Sequence, residues 1–206
     1  MLGRRVVAAL FVAIAAASCS GGDDDTPERA ARARQTTSAP VVSADARVVT
    51  GPLCDLLPSG DDPGAPASLK DDPADVALQW IPVLTTFEAA VRASGLARYL
   101  RRADGVTILA PTDDAFAAAF DRQRLDNLLL FRRRELRALL EAHIIDGRSL
   151  SLAALRDAGS VATLAGDTLS VAPKGAMARF GDRATTVCAD YDVANGRIHV
   201  IGGVLR

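Results

Sequence analysis

Hydrophobic residues follow three different rhythms along this chain. Arg4 and Arg5 precede an apolar stretch from Val6 to Ala17, which ends in small residues. From Ser20 to about Thr50 large apolar side chains almost vanish, and Gly, Asp, Ser, Thr and Arg dominate. Residues 51–72 are rich in Pro, Gly and Asp but hold Cys54, Leu56 and Leu57. Beyond them a helical period sets in, and later a period of two.

The helical half starts at Pro82, an early-turn proline, and continues through Leu84, Phe87, Ala90 and Val91 to a stop at Ser94-Gly95. Leu96, Tyr99 and Leu100 predict a second short helix to Arg102. Val106-Thr107-Ile108-Leu109-Ala110 is apolar at both parities, as a strand covered on both faces would be. Pro111-Thr112 breaks it, and Thr112 is placed to cap a helix whose first turn carries Asp113 and Asp114. One helical pattern then spans Arg122 to Ala142.

A short strand is expected about His143–Ile145, then a turn at Asp146-Gly147 and a brief helix from Ser151 to Asp157. Strands are predicted at Val161–Ala165, Thr168–Ala172 and Ala184–Cys188. Asn195-Gly196, between Tyr191-Asp192-Val193 and Arg197–Ile201, predicts a hairpin. Helices first and strands afterwards indicate an α+β domain.

The amino-terminal rhythm is that of an export signal, residues 1–18, and is too short for a membrane helix. Ala16-Ala17-Ser18-Cys19 resembles a bacterial lipobox, which would put lipid on Cys19 and make residues 19–50 an anchored, disordered tether. The rival reading is cleavage after Ala15-Ala16-Ala17 and free secretion. Three cysteines in an exported chain leave one over. With Cys19 acylated, Cys54 and Cys188 remain, and an oxidising exterior favours their pairing over two separate thiols.

The 206 residues carry 24 Lys+Arg against 25 Asp+Glu, a balance unlike the basic surplus of a nucleic-acid binder. No phosphate-cradling Gly-rich loop, dinucleotide fingerprint, paired zinc histidines or nucleophile elbow is present, so no cofactor is expected. Two histidines and no C-x-x-C argue against a metal site. His143 and His199, each flanked by apolar residues, read as buried structural imidazoles, and Trp80 as a packing residue. Arg122, Arg124, Arg132, Arg133, Arg134 and Arg137 offer an anionic-lipid or polyanion surface, although Asp121, Asp126, Glu135 and Glu141 interleave them as on a solvated helix face.

Val106–Phe116, VTILAPTDDAF, resembles the first signature box of fasciclin domains, and Asn195–Leu205, NGRIHVIGGVL, resembles the second. Ala142–Gly147 is similar to the family's Tyr-His segment, and Leu164–Leu169 to its T-L-x-G-x-x-L hairpin. Gly51-Pro52-Leu53-Cys54 and Thr186-Val187-Cys188-Ala189 resemble the mycobacterial secreted and lipoprotein fasciclin antigens, whose corresponding cysteines pair. The resemblance implies β-sheets packed with a cluster of helices in the amino-terminal half of one domain, residues 51–206. It further implies a structural His143 and a turn organised by Thr112 with Asp114. Ala142 stands where the family usually has tyrosine, and Gly202 where it has aspartate, so integrin-type recognition is not carried over.

The expectation is therefore a non-catalytic adhesion or interaction module on the outer face of a bacterial membrane. Its partners would be envelope or host-matrix proteins or polysaccharides, and nucleic acid is not among them. The alternative is a carrier or sensor holding a lipid-like ligand in an apolar crevice.

Overall fold

The computed structural model describes residues 49–206, so the signal, Cys19 and the tether as far as residue 48 lie outside the described residues, whereas Val49 and Thr50, expected at the end of the tether, lie within them. After a 3-10 turn at Cys54–Leu56, the helices are α1 (Pro66–Leu69), α2 (Ala74–Ala77), α3 (Thr85–Ser94), α4 (Ala97–Arg102), α5 (Asp113–Ala119), α6 (Arg122–Phe131), α7 (Arg133–Glu141) and α8 (Leu152–Ala158), with two more 3-10 turns, Leu78–Trp80 and Pro82–Leu84, between α2 and α3. The strands are β1 (Val106–Pro111), β2 (Ile144–Asp146), β3 (Ser160–Ala162), β4 (Thr168–Lys174), β5 (Met177–Phe180), β6 (Ala184–Val193) and β7 (Gly196–Ile201). They form one mixed sheet in the order β2-β1-β7-β6-β5-β4-β3. This is an α+β domain with its helices concentrated in the first half.

β1 and β7 run parallel at the heart of the sheet, and every residue of both is buried. Their alternation divides the interior. Val106, Ile108, Ala110, Ile198 and Val200 meet Phe87, Leu100, Phe116, Leu136 and Leu140 from the helices. Leu109 and Ile201, of opposite parity, join Leu155, Val161, Val171 and Phe180 in a second cluster beneath α8. Apolarity at both parities thus reflects two cores, one on each face. The ends of the strand order approach one another, because Leu164 donates its N–H to the carbonyl of Ile144 in β2 at 2.7 Å.

Helix ends are fixed by chemistry that reaches across elements. Thr112 caps α5 through its hydroxyl, which accepts from the Ala115 N–H at 3.1 Å. Asp113 does not serve its own helix alone: its carboxylate accepts from the Thr85 hydroxyl and the Thr86 N–H, both at 2.7 Å, and so caps α3 from outside. Asp114, the residue expected to share the turn with Thr112, is exposed, and the tertiary contact belongs to its neighbour. α3 closes on Gly95 at φ 81°, where the Arg133 side chain lies so near that a Cβ would sit 2.3 Å from its guanidinium.

Several expected elements need correction. The helical pattern from Arg122 to Ala142 is broken at Arg132, whose backbone (φ −112°, ψ 48°) leaves the helix and separates α6 from α7. The extended runs at Ala184–Cys188 and Tyr191–Val193 are one strand, β6, carried through a bulge. β5 lacked a sequence signal; its four residues pair with β4, and Arg179 and Phe180 pair with β6 as well. Trp80 is 50% exposed, so it contributes less to the core than its size suggests.

Candidate functional site

The disulfide is the first determinant of the site. Cys54 and Cys188 are joined across 134 residues of sequence, with their Cα atoms 5.1 Å apart. Around the bridge the Leu53 N–H donates to the Val187 carbonyl at 2.9 Å, and Thr50 pairs with Ala189 in both directions. Residues 51–72 are thereby strapped along β6 as a cover. Between that cover and the β6–β7 hairpin lies an open groove of about 1270 Å³, whose lining includes Asp55, Lys70, Asp104, Asp190, Asp192 and Arg197.

Asp190 is the geometric centre of this wall. It occupies the β6 bulge at φ 69°, a left-handed conformation that aspartate tolerates better than most residues. The twist aims its carboxylate two ways: Oδ1 accepts from the Leu152 N–H at the start of α8 at 3.0 Å and from Nη1 of Arg197 at 3.1 Å. The other arm of that guanidinium pairs with Asp192, which faces Arg197 across the hairpin. Arg197 is 8% exposed, so a cation with little access to water is balanced by a carboxylate on each side. Asp190 and Asp192 carried no motif, although their alternation opposite Arg197 in a predicted hairpin was the available signal.

The bulge is also tied to His199. The Asp190 N–H donates to His199 Nδ1 at 3.3 Å, which leaves the imidazole proton on Nε2, where it is donated to the Leu150 carbonyl at 2.9 Å. His143 has the opposite tautomer: Nε2 accepts from the Leu205 N–H at 2.9 Å, so Nδ1–H donates to the Leu139 carbonyl at 2.8 Å. Burial pushes the His143 pKa down to about 4, and burial also lowers that of His199. Both imidazoles are therefore neutral near pH 7, and backbone groups occupy all four ring nitrogens. The arrangement holds strands and loops in place; neither imidazole has a nitrogen left to relay a proton.

The hairpin itself departs from the expected chemistry. Val193 pairs with Gly196, so the two-residue loop is Ala194-Asn195 rather than Asn195-Gly196. Asn195 works through its side chain: Oδ1 accepts from the Ala74 N–H at 2.9 Å, and Nδ2 donates to the carbonyls of Leu100 and Ala103 at 2.7 and 3.1 Å. One amide thus joins the start of α2, the end of α4 and the hairpin. Gly196 is required by close approach, since a Cβ would stand 2.1 Å from the Val106 carbonyl oxygen of β1. Among the sequence-predicted residues, the structure gathers Cys54, Cys188, Asn195, Gly196 and His199 around the groove and its supporting wall. Thr112 and His143 are placed on the helix-packed side.

The family model of the fasciclin domain matches residues 82–206. The chain belongs to the fasciclin family. Over 122 residues it is 37% identical to Protein sll1483 of Synechocystis sp., covering 59% of this chain and 66% of that protein. Over 118 residues it is 32% identical to the transforming growth factor-beta-induced protein ig-h3 of Sus scrofa, covering 57% of this chain but 17% of the relative. The chain thus spans less than two thirds of the length of either relative. A solved FAS1 domain pair, from the insect cell adhesion molecule fasciclin I, superposes with a TM-score of 0.48 at 26% identity, covering 60% of this chain and 45% of that one. Fasciclin domains are cell-adhesion-type modules of secreted or extracellular proteins. Among the described residues no helix is long and apolar enough to cross a membrane.

Proposed function

We propose that this fasciclin chain is a non-catalytic adhesion or interaction module of the bacterial cell envelope. In this reading it is exported by residues 1–18, held at the outer face of the membrane by lipid on Cys19, and presented on the segment 19–50. Its partners are proteins or polysaccharides of the envelope or of a host matrix, met by loops and helix faces over a fixed scaffold. The observation that carries the reading is the saturation of both buried imidazoles by backbone groups, together with the pairing of Asp190 and Arg197. These groups stabilise a shape and leave the groove wall as surface for binding.

Asp55, Lys70 and Asp104 border the groove alongside the Arg197 cluster and offer charged contacts to a polar partner. Proximity labelling on intact cells, with the wild type and Cys19→Ala, tests the proposal. Labelled envelope or matrix neighbours, lost when Cys19→Ala releases the protein, are the expected result. A neighbour set indifferent to Cys19→Ala overturns the anchor. Turnover in a hydrolase panel that vanished with His143→Ala in a folded protein would overturn the non-catalytic assignment.

A further inference from the structure

α6 turns the wrong side of its carboxy-terminal end to solvent. Leu125, Leu128 and Leu129 form its core-facing stripe, at the spacing an amphipathic helix needs. Leu130 and Phe131 fall off that stripe and stand 71% and 76% exposed, two adjacent large apolar side chains with no packing role in the domain. The chain then leaves the helix at Arg132, and Arg132-Arg133-Arg134 follow at once. The three arginines are not equivalent. Arg133 is committed to the fold, its Nε donating to the Ser94 carbonyl at 3.3 Å. Arg132 donates only to the neutral amide of Asn127, at 3.2 Å, and Arg134 forms no ion pair among the described residues.

The nearby acids do not cancel this charge. Glu135 lies 3.8 Å from Arg124, Glu141 pairs with Arg137, and Asp121 caps the far end of α6 by accepting from the Arg124 N–H. Asp126 is the acid left one turn below Leu130. We propose that this α6–α7 corner docks on an anionic phospholipid surface, with Leu130 and Phe131 entering the boundary between headgroups and acyl chains and Arg132 and Arg134 resting on the phosphates. The two features call for one occupant together: an apolar pair gains from hydrocarbon, and a flanking cationic run gains from clustered negative charge. A second copy of the chain fits poorly, because a two-fold contact through this corner sets one arginine run against the other. A soluble polyanion satisfies the arginines and leaves the apolar pair in water. The inference stands whether or not Cys19 carries lipid. In a tethered protein it would orient the domain and direct the opposite surface outward.

The test uses a reporter local to the corner, so that neither the amino-terminal segment nor an acyl chain contributes. The full chain holds a single tryptophan, Trp80, so Trp80→Phe combined with Phe131→Trp moves the emission to the proposed contact. Phosphatidylcholine vesicles with phosphatidylglycerol should blue-shift that emission, and pure phosphatidylcholine vesicles should not. In the same protein Arg132→Gln with Arg134→Gln should weaken the transition at least tenfold, as should Leu130→Ser, with unchanged circular dichroism. An emission indifferent to anionic vesicles, or a shift that persists in the arginine variant, overturns the proposal. So does a blue shift without lipid that is lost on dilution as a dimer dissociates, which would assign the corner to self-association.

Discussion

Leu205 donates its backbone N–H to His143 Nε2 at 2.9 Å, and through that bond the end of the chain is fixed to the turn between α7 and β2. Because the acceptor is the unprotonated nitrogen, the bond exists only while the imidazole is neutral. Unfolded, His143 takes a proton near pH 6.5; folded, it resists until about pH 4. Within that window the unfolded chain binds more protons, so stability falls as pH falls. The His143 share amounts to about 3 kcal/mol, and His199 adds to it in the same direction. Urea unfolding at pH 7 and pH 4.5 measures it. His143→Gln should flatten part of the slope, and an unchanged slope would show that His143 does not carry it.

The clasp between Cys54 and Cys188 closes a loop of 134 residues, so its loss releases a large denatured-state constraint. Cys54→Ser should lower unfolding free energy by about 2–5 kcal/mol, read as a shift in denaturant midpoint. Limited proteolysis adds a local measure: cleavage within residues 55–70 should accelerate in the variant and in the reduced wild type, while β1 and β7 stay protected.

Asn195 makes two demands that call for a carboxamide, one acceptor toward Ala74 and two donor bonds toward Leu100 and Ala103. Asn195→Ala should cost about 2–3 kcal/mol, since three partly buried backbone groups lose their partner. Asn195→Asp is of similar size but sets a carboxylate against two carbonyls, so its stability should cost more at pH 7. Gly196→Ala should be worse than Asn195→Ala, because the new methyl meets the backbone of β1 rather than a movable side chain. Thermal unfolding of the three variants ranks them.

How far these features were legible depends on whether their cause is local. The doubly buried β1, the Thr112 cap, the Gly95 stop and the β6–β7 hairpin were readable because period, cap chemistry and turn composition act within a few residues. The fasciclin assignment followed from ordered motifs. β5 was missed because Met177–Phe180 is four residues long, with only Ala178 and Phe180 buried. The hairpin was found for an incomplete reason: Asn-Gly signals a turn, yet here Asn195 is a side-chain crosslink and Gly196 a packing requirement. The break at Arg132 and the reach of Asp113 to α3 depend on helices that meet only after folding, so nothing local announces them. Asp190 is the extreme case, an aspartate in a left-handed bulge whose partners come from α8 and β7.

Arg197 offers the most discriminating substitution, because it is the cation between Asp190 and Asp192 and is itself nearly out of solvent. Arg197→Leu removes the guanidinium that Asp190 and Asp192 share, and the stability at pH 7 should fall by about 3–5 kcal/mol. Asp190→Asn should cost less, about 1–2 kcal/mol, because asparagine accepts the same backbone angle and its Oδ1 can still receive the Leu152 N–H. The two variants also separate by pH. Protonating one carboxylate of the Arg197→Leu protein removes the repulsion, so its deficit relative to wild type should shrink between pH 7 and pH 5. The His143 contribution is common to both proteins and cancels in that difference, whereas His199 loses the Arg197 charge that helps to lower its pKa, which shrinks the deficit in the same direction. A deficit for Arg197→Leu that stays constant with pH would mean lost packing, not unbalanced charge, is what the substitution exposes. Equal costs for the two variants would show that Asp192 has no share in holding the guanidinium.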